Sequence, residues 1–221
     1  VARILHVDPR VEAGDHVGIG DDLGTLMRSG YFSPWVDNHI HLGFRPPERD
    51  LLRASGSVRV HVDVSLAAVT WDGTGTIVET TETSARLDSP EHPAPGEQFA
   101  TIADDSGRRG LDGGLPHYGN GGVFLLDDGG GSASQGDRPV DTAPASETKG
   151  GDDPISILGT DVGRADGREL FWEDYTVRVN GREITGLSFS FGLERLQTTL
   201  ICPGVTFERG TLATVTIEDA E

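Results

Sequence analysis

Apolar and polar residues alternate in short runs over much of the chain. Clear runs occupy residues 76–79, 176–179 and 211–217. Alternation with a period of two is typical of strands that bury one face. Asn180 and Gly181 follow the second run, and this dipeptide favours the two-residue type I′ turn of a β-hairpin. Because apolar repeats with helical spacing are scarce, the pattern predicts a mostly-β protein.

The pattern also indicates how the chain is divided. Residues 58–64 alternate like a strand, whereas prolines at the start of residues 47–52 favour one short helix. Residues 127–154 are rich in Gly, Asp and Ser and poor in apolar side chains, which predicts an exposed loop or linker. We therefore expect an N-terminal β-module of residues 1–54 and a β-rich region of residues 55–221 that contains the loop.

The surface is predicted to be strongly acidic. Asp and Glu number 36 against 18 basic residues, the formal net charge is −18, and Lys149 is the single lysine. An acid-rich, lysine-poor surface is typical of proteins that work in molar salt, where a Debye length of about 3 Å weakens the repulsion between carboxylates. We therefore expect a halophilic protein, as in haloarchaea, and the alternative is an acidic mesophilic protein.

The charge argues against two classes of partner. No basic stripe is available to neutralise nucleic-acid phosphates, and anionic membranes repel an acidic surface. No segment has the length of a membrane span and no signal peptide is visible, so we expect a cytoplasmic protein whose first residue, Val1, marks a processed or incomplete start. Cys202 is the single cysteine, which excludes an intrachain disulfide. The expected partner is a peptide-like substrate or another protein, and the oligomeric state stays open.

Two Gly-Asp pairs lie close together near the N-terminus. Gly14 and Asp15 form the first pair, and Gly20 and Asp21 form the second. Gly supplies the positive φ of a tight turn, and Asp bonds the backbone two residues on. Closely spaced turns joined by very short strands indicate a small sandwich barrel of the kind found in lipoyl and biotinyl domains.

A pair of histidines follows these turns. His39 and His41 are separated by one residue, so in a strand both imidazoles project from the same face. Two imidazoles side by side suit a borderline cation such as zinc. Alternatively, one imidazole binds the metal while the other transfers protons, or both are packed and hydrogen-bonded strand histidines without a metal. Tyr31, Phe32 and Trp35 are close enough in sequence to line a groove beside the pair.

Taken in order, these features resemble a known family. The two Gly-Asp turns, the Ser29-Gly30 step and the run from His39 to Arg45 look like the C-terminal half of the lysostaphin-type zinc metallopeptidases. Those enzymes are peptidoglycan endopeptidases with the duplicated-hybrid-motif fold. The resemblance implies a barrel-sandwich hybrid module at the N-terminus, and a zinc-dependent hydrolase of peptide or amide bonds.

The resemblance also implies roles for individual histidines. His41 would be a zinc ligand, and His39 would be a catalytic histidine that stabilises or deprotonates a zinc-bound water. His6 lies where the family has a further catalytic histidine. Zinc suits such a reaction because it lowers the pKa of a bound water to near 7.

The sequence departs from the family in one respect that bears on function. The family's other two zinc ligands, a His and an Asp, come before the matching segment. Here they would lie before the first residue, or His92, His117 or Asp37 would replace them. The alternative is a non-catalytic binding or assembly module that keeps the fold with a degenerate metal site. An archaeal source would also argue against peptidoglycan as the substrate.

Overall fold

The structure of the chain is a computed structural model. It describes residues 1–29, 32–53, 56–58, 60, 64–118, 120–126 and 153–220. Every regular element in these ranges is a β-strand, which confirms the mostly-β prediction. Contacts divide the chain into two units, Val1–Val62 and Asp63–Glu221, and the predicted boundary at residue 54 lies inside the first unit. Within the same ranges, no helix has the length and apolar character needed to cross a membrane.

The first unit contains two small antiparallel sheets. Its strands are β1 (Ala2–Leu5), β2 (Val7–Pro9), β3 (Gly24–Leu26) and β4 (His41–Phe44). Strand β1 pairs with β4, and β2 pairs with β3. The β1–β4 register sets Leu5 opposite His41, so the chain segments that carry His6 and the His pair are adjacent.

The second unit is built on one large sheet. Its strands are β5 (Leu66–Val69), β6 (Thr74–Thr80), β7 (Ser84–Leu87), β8 (Phe99–Ile102), β9 (Arg109–Leu115), β10 (Asn120–Leu125), β11 (Asp153–Ile157), β12 (Thr160–Asp166), β13 (Glu169–Trp172), β14 (Tyr175–Val179), β15 (Arg182–Ile184), β16 (Gly186–Ser190), β17 (Gln197–Ile201) and β18 (Leu212–Asp219). Twelve of these form a sheet in the order β11-β12-β13-β10-β9-β16-β17-β7-β6-β18-β14-β15, and β5 pairs with β8 in parallel.

Alternation along these strands produces the core. Strand β18 buries Ala213, Val215 and Ile217 and exposes the residues between them, as its sequence predicts. The turn before β15 is also confirmed as type I′, because Asn180 has φ 51° and Gly181 has φ 76°. One face of the sheet is therefore apolar, and its buried side chains form a single cluster in this unit.

The predicted helix at residues 47–52 is wrong. The segment forms a turn and a bend instead, and the Arg45 guanidinium donates hydrogen bonds of 2.6 Å to the carbonyl oxygens of Asp50 and Arg53. Those carbonyls are held by a buried side chain rather than by the backbone amides of a following helical turn. A side-chain contact has therefore replaced the local helical pattern.

Two other sequence predictions fall partly outside the described residues. In the run 58–64, Val58, Val60 and Val64 lie outside any strand, and the remaining positions are not described. Residues 127–152 of the predicted loop are likewise outside the described ranges. Asp153 and Pro154, which were assigned to that loop, are the first residues of β11.

Candidate metal centre

Two similar turns lie between β2 and β3. The backbone N–H of Asp15 donates to the Glu12 carbonyl at 3.1 Å, and its carboxylate accepts from the Glu12 N–H at 2.8 Å. Asp21 and Gly18 repeat these two bonds at 3.2 and 2.7 Å. The glycine before each aspartate has a positive φ, 104° and 92°, as predicted. The two aspartates bond the residue three positions back, however, and not the residue two positions on.

His6 occupies the bend between β1 and β2. Its φ of 65° lies in the left-handed region, which is uncommon for a residue with a side chain and more frequent for His than for most. The backbone N–H of Met27 donates to the His6 carbonyl at 2.9 Å, and His6 Nδ1 lies 2.9 Å from the Ser29 hydroxyl. Both contacts come from the segment after β3, so this segment fixes the backbone and the ring of His6.

His41 begins β4, and His39 lies two residues earlier, before the strand starts. The prediction that both imidazoles share a face is confirmed, because His39 Nε2 and His41 Nε2 are 2.9 Å apart. The prediction that both lie within a strand is confirmed only for His41. The β1–β4 pairing then brings His6 to the same place, although it is more than thirty residues away in sequence.

The three imidazoles form one compact cluster. The ring centroids of His6 and His41 are 4.8 Å apart, those of His39 and His41 are 4.9 Å apart, and those of His6 and His39 are 5.3 Å apart. One nitrogen from each ring lies within 4.8 Å of the other two. His6 and His39 are half-buried and His41 is exposed, so the cluster is open on the His41 side.

Hydrogen bonds fix the orientation of the His39 ring. Its Nδ1 lies 2.8 Å from the Asp37 carbonyl oxygen, which only accepts, so Nδ1 carries a hydrogen. In the neutral ring, Nε2 then presents a lone pair toward His41. His41 Nε2 lies 2.9 Å away, so this contact is satisfied either by a hydrogen on His41 Nε2 that is donated to His39 or by a cation bound between the two nitrogens.

The cluster also favours the neutral form of one of its members. Partial burial lowers the pKa of His41, and the neighbouring His39 and His6 lower it further, because a second positive charge is unfavourable there. Neutral imidazole is the form that binds a metal. The cluster therefore disfavours protons at the position where a metal ligand is needed.

A phenyl ring covers one side of the cluster. Phe32 lies with its ring centroid 4.8 Å from that of His6 and 5.1 Å from that of His39. Of the aromatic residues suggested for a groove here, Phe32 is therefore beside the histidines, and Tyr31 lies outside the described residues. The Arg28 guanidinium lies 4.7 Å from the Phe32 centroid and donates to the carbonyls of Ser33 and Val36 at 3.1 and 2.6 Å. Arg28 and its role in holding this loop were not predictable from the sequence, because cation–π contacts have no local pattern.

The other residues suggested as ligands serve different purposes. Asp37 contributes its carbonyl oxygen to His39. His92 is buried in the second unit, where Nε2 donates to the Gly192 carbonyl and Nδ1 accepts from the Ala94 N–H. His117 is half-buried in the second unit, and desolvation lowers its pKa. Among the described residues, the only group of three or more potential ligands is His6, His39 and His41.

These distances can be compared with those of a metal site. Two nitrogens bound to one tetrahedral zinc at about 2.0–2.1 Å lie roughly 3.3–3.4 Å apart. The His39–His41 pair is slightly closer than this, and the widest pair exceeds it by roughly 1.4 Å, a change within reach of side-chain rotation. Three nitrogen donors suit zinc, copper or nickel rather than calcium or magnesium, which prefer oxygen. The residues fit a zinc-class ion.

Comparison with known proteins places the chain in one family. A model described as the C-terminal domain of a domain of unknown function, DUF8155, matches residues 67–218, and the model of the N-terminal domain of the same family matches residues 1–62. No curated protein and no solved structure matches the chain. The two matched segments agree with the two units of the structure. The chain therefore belongs to the DUF8155 family, with one domain of that family in each unit.

Proposed function

We propose that the N-terminal domain binds zinc through the cluster of His6, His39 and His41, and that the protein is a zinc-dependent hydrolase of peptide or amide bonds. The observation that carries this proposal is the convergence of three imidazoles from two separate segments of the chain. Such a donor set, with a fourth position left for water or substrate, is typical of catalytic zinc sites.

Contacts around the cluster support a metal site. Metal-binding histidines usually hydrogen-bond through the ring nitrogen that faces away from the metal, and this bond orients the ring. Ser29 contacts His6 in this way, and the Asp37 carbonyl contacts His39. In both rings Nδ1 is occupied, which leaves Nε2 as the nitrogen for the metal. The exposed edge of His41 provides a route for water and substrate.

The chemistry follows from these positions. A zinc ion bound there would supply an acidified water, whose pKa falls to near 7. His41 is the ligand on the open side, and its lowered pKa keeps the ring neutral at pH 7. His39 and His6 complete the ligand set. The half-buried Phe32 ring lies against His6 and His39 and limits their contact with water.

The resemblance to the lysostaphin-type metallopeptidases supports the class of bond proposed, and the paired Gly-Asp turns support the barrel-sandwich hybrid form of this domain. A second candidate is a non-catalytic binding module with the same metal. It is favoured by one observation: among the described residues, no carboxylate joins the three imidazoles. The lysostaphin-type site, in contrast, includes an Asp ligand.

The experiment measures zinc content and hydrolysis on one preparation. The chain is purified without chelators in molar KCl, its zinc content is measured by mass spectrometry, and a peptide library is tested for cleavage. We expect about one zinc per chain and zinc-dependent cleavage, both lost in His41→Ala. His16→Ala is the matched control, because His16 is exposed on the same domain and lies outside the cluster.

The possible outcomes separate the two candidates. Zinc bound at full occupancy without cleavage of any peptide would support the binding module and refute the proposal of a hydrolase. A correctly folded chain that takes up no zinc would refute both. Retention of zinc in His41→Ala would show that the metal lies elsewhere.

A further inference from the structure

The N-terminal domain contains no buried apolar side chain among the described residues 1–29, 32–53, 56–58 and 60. Arg45, which is 3% exposed, is the one buried residue in those ranges. The large buried side chains, among them Phe189 and Ile77, all belong to the second unit. A domain of this size normally depends on its core for stability, so the N-terminal domain must depend on other interactions.

The face of the β1–β4 ribbon that points away from His41 also lacks buried apolar side chains. Ile4 and Leu42 are paired across the two strands, yet they are 42% and 57% exposed. Ile40 and Phe44, at alternate positions on the same side, are 49% and 40% exposed. Apolar burial in this ribbon contributes little, because each side chain keeps much of its contact with water.

Small domains without a sufficient core are usually stabilised by disulfides or by a structural metal. A disulfide cannot stabilise this domain, because Cys202 is the single cysteine and lies in the second unit. A structural metal could instead bind at the histidine cluster. A metal bound there would connect the bend after β1 to the start of β4, and through the Ser29 contact it would also hold the segment after β3.

We propose that zinc at His6, His39 and His41 is required for the N-terminal domain to fold stably, so that metal binding and folding of this domain are coupled. This inference rests on the zinc site of the proposed function, but it does not depend on hydrolysis. The physical reason is that metal bound only to the folded state shifts the folding equilibrium in proportion to its free concentration over its dissociation constant.

Hydrogen exchange read by mass spectrometry tests this on the full chain. Amide exchange is compared in the chelator-treated protein and after addition of zinc chloride, with zinc uptake followed by calorimetry on the same sample. With free zinc at about 1000 times its dissociation constant, the protection of amides in residues 1–53 should rise by up to roughly 1000-fold. Peptides from residues 67–118 should exchange at the same rate in both samples, because their core is independent of the site.

Two variants make the test specific. In His41→Ala, zinc should leave the exchange of residues 1–53 unchanged, whereas in His16→Ala the zinc-dependent protection should persist. The wild-type titration does not depend on either variant folding well.

Failure of this inference is distinguishable from failure of the proposed function. If calorimetry shows one zinc bound and the exchange of residues 1–53 does not change, the domain folds without metal and the inference is overturned while the site stands. If no zinc binds, the site itself is refuted. Zinc-dependent protection of both domains alike would also overturn the inference, because it would indicate a nonspecific effect.

Discussion

Replacing Arg45 by methionine should destabilise the N-terminal domain. The Arg45 side chain is buried, and its two terminal nitrogens donate to the carbonyls of Asp50 and Arg53, each at 2.6 Å. These bonds close the segment after β4 into the turn that replaced the predicted helix. Methionine matches the aliphatic part of the arginine side chain but has no donors, so the change removes both bonds and keeps the packing of that part.

The size of the effect follows from the two bonds. A hydrogen bond from a charged group contributes about 1.5–3 kcal/mol, and two would give roughly 3–6 kcal/mol. The Asp50 carbonyl is on an exposed residue and can bond to water, and the Arg53 carbonyl still accepts from Arg3 Nη1 at 2.7 Å. Neither carbonyl is left without a partner, so the loss falls at or below the lower limit of this range. We expect a loss of about 2–3 kcal/mol, which is a large share of the roughly 3–9 kcal/mol total for a domain of residues 1–62.

Hydrogen exchange on the zinc-loaded protein measures this loss locally. Amides of residues 1–53 that exchange by unfolding of the domain should lose roughly 30- to 150-fold in protection. Arg49→Met is the matched control, because Arg49 is exposed in the same segment, and it should change stability by no more than about 0.5 kcal/mol. Equal protection in the two variants would refute the view that the two hydrogen bonds from Arg45 stabilise this domain.

Three further predictions concern other parts of the chain. Burial lowers the pKa of His117 in the folded state, so stability is highest above the unfolded value near 6.5 and falls as the pH drops below that value. His117→Gln should therefore flatten the pH dependence of the urea unfolding midpoint between pH 7 and 5. An unchanged slope would contradict this. Phe189→Ala should cost about 3–5 kcal/mol in urea unfolding because Phe189 is 2% exposed, whereas Phe171→Ala, at a site 42% exposed, should cost much less. Gly24→Ala should destabilise the N-terminal domain, because its φ is 156° and an added Cβ would collide with the Asp8 carbonyl; wild-type protection of β2 in hydrogen exchange would refute it.

Features with a local cause were predictable from the sequence. The alternation in β18 and the Asn180-Gly181 turn each depend on neighbouring residues alone, and the structure confirms both. The order of the large sheet was not predictable, because β9 pairs with β16 and β6 with β18 across long stretches of chain. Nothing in the sequence of one strand specifies such a partner.

In the candidate site, too, the features with a local cause were predictable and the long-range contacts were not. His39 and His41 were identified because a spacing of two residues places side chains together in extended chain. His6 was supported only by family resemblance, because its contact with the pair depends on the β1–β4 register and on a left-handed bend. The halophilic character and the hydrolytic activity stay predictions.

The central claim is that three imidazoles bind one metal ion, and X-ray absorption at the zinc edge tests it most directly. The zinc-loaded protein should show three imidazole nitrogens at about 2.0–2.1 Å and one further light ligand, and His6→Ala should reduce the imidazole count to two. A shell of oxygen ligands, or the same spectrum in wild type and His6→Ala, would contradict the account.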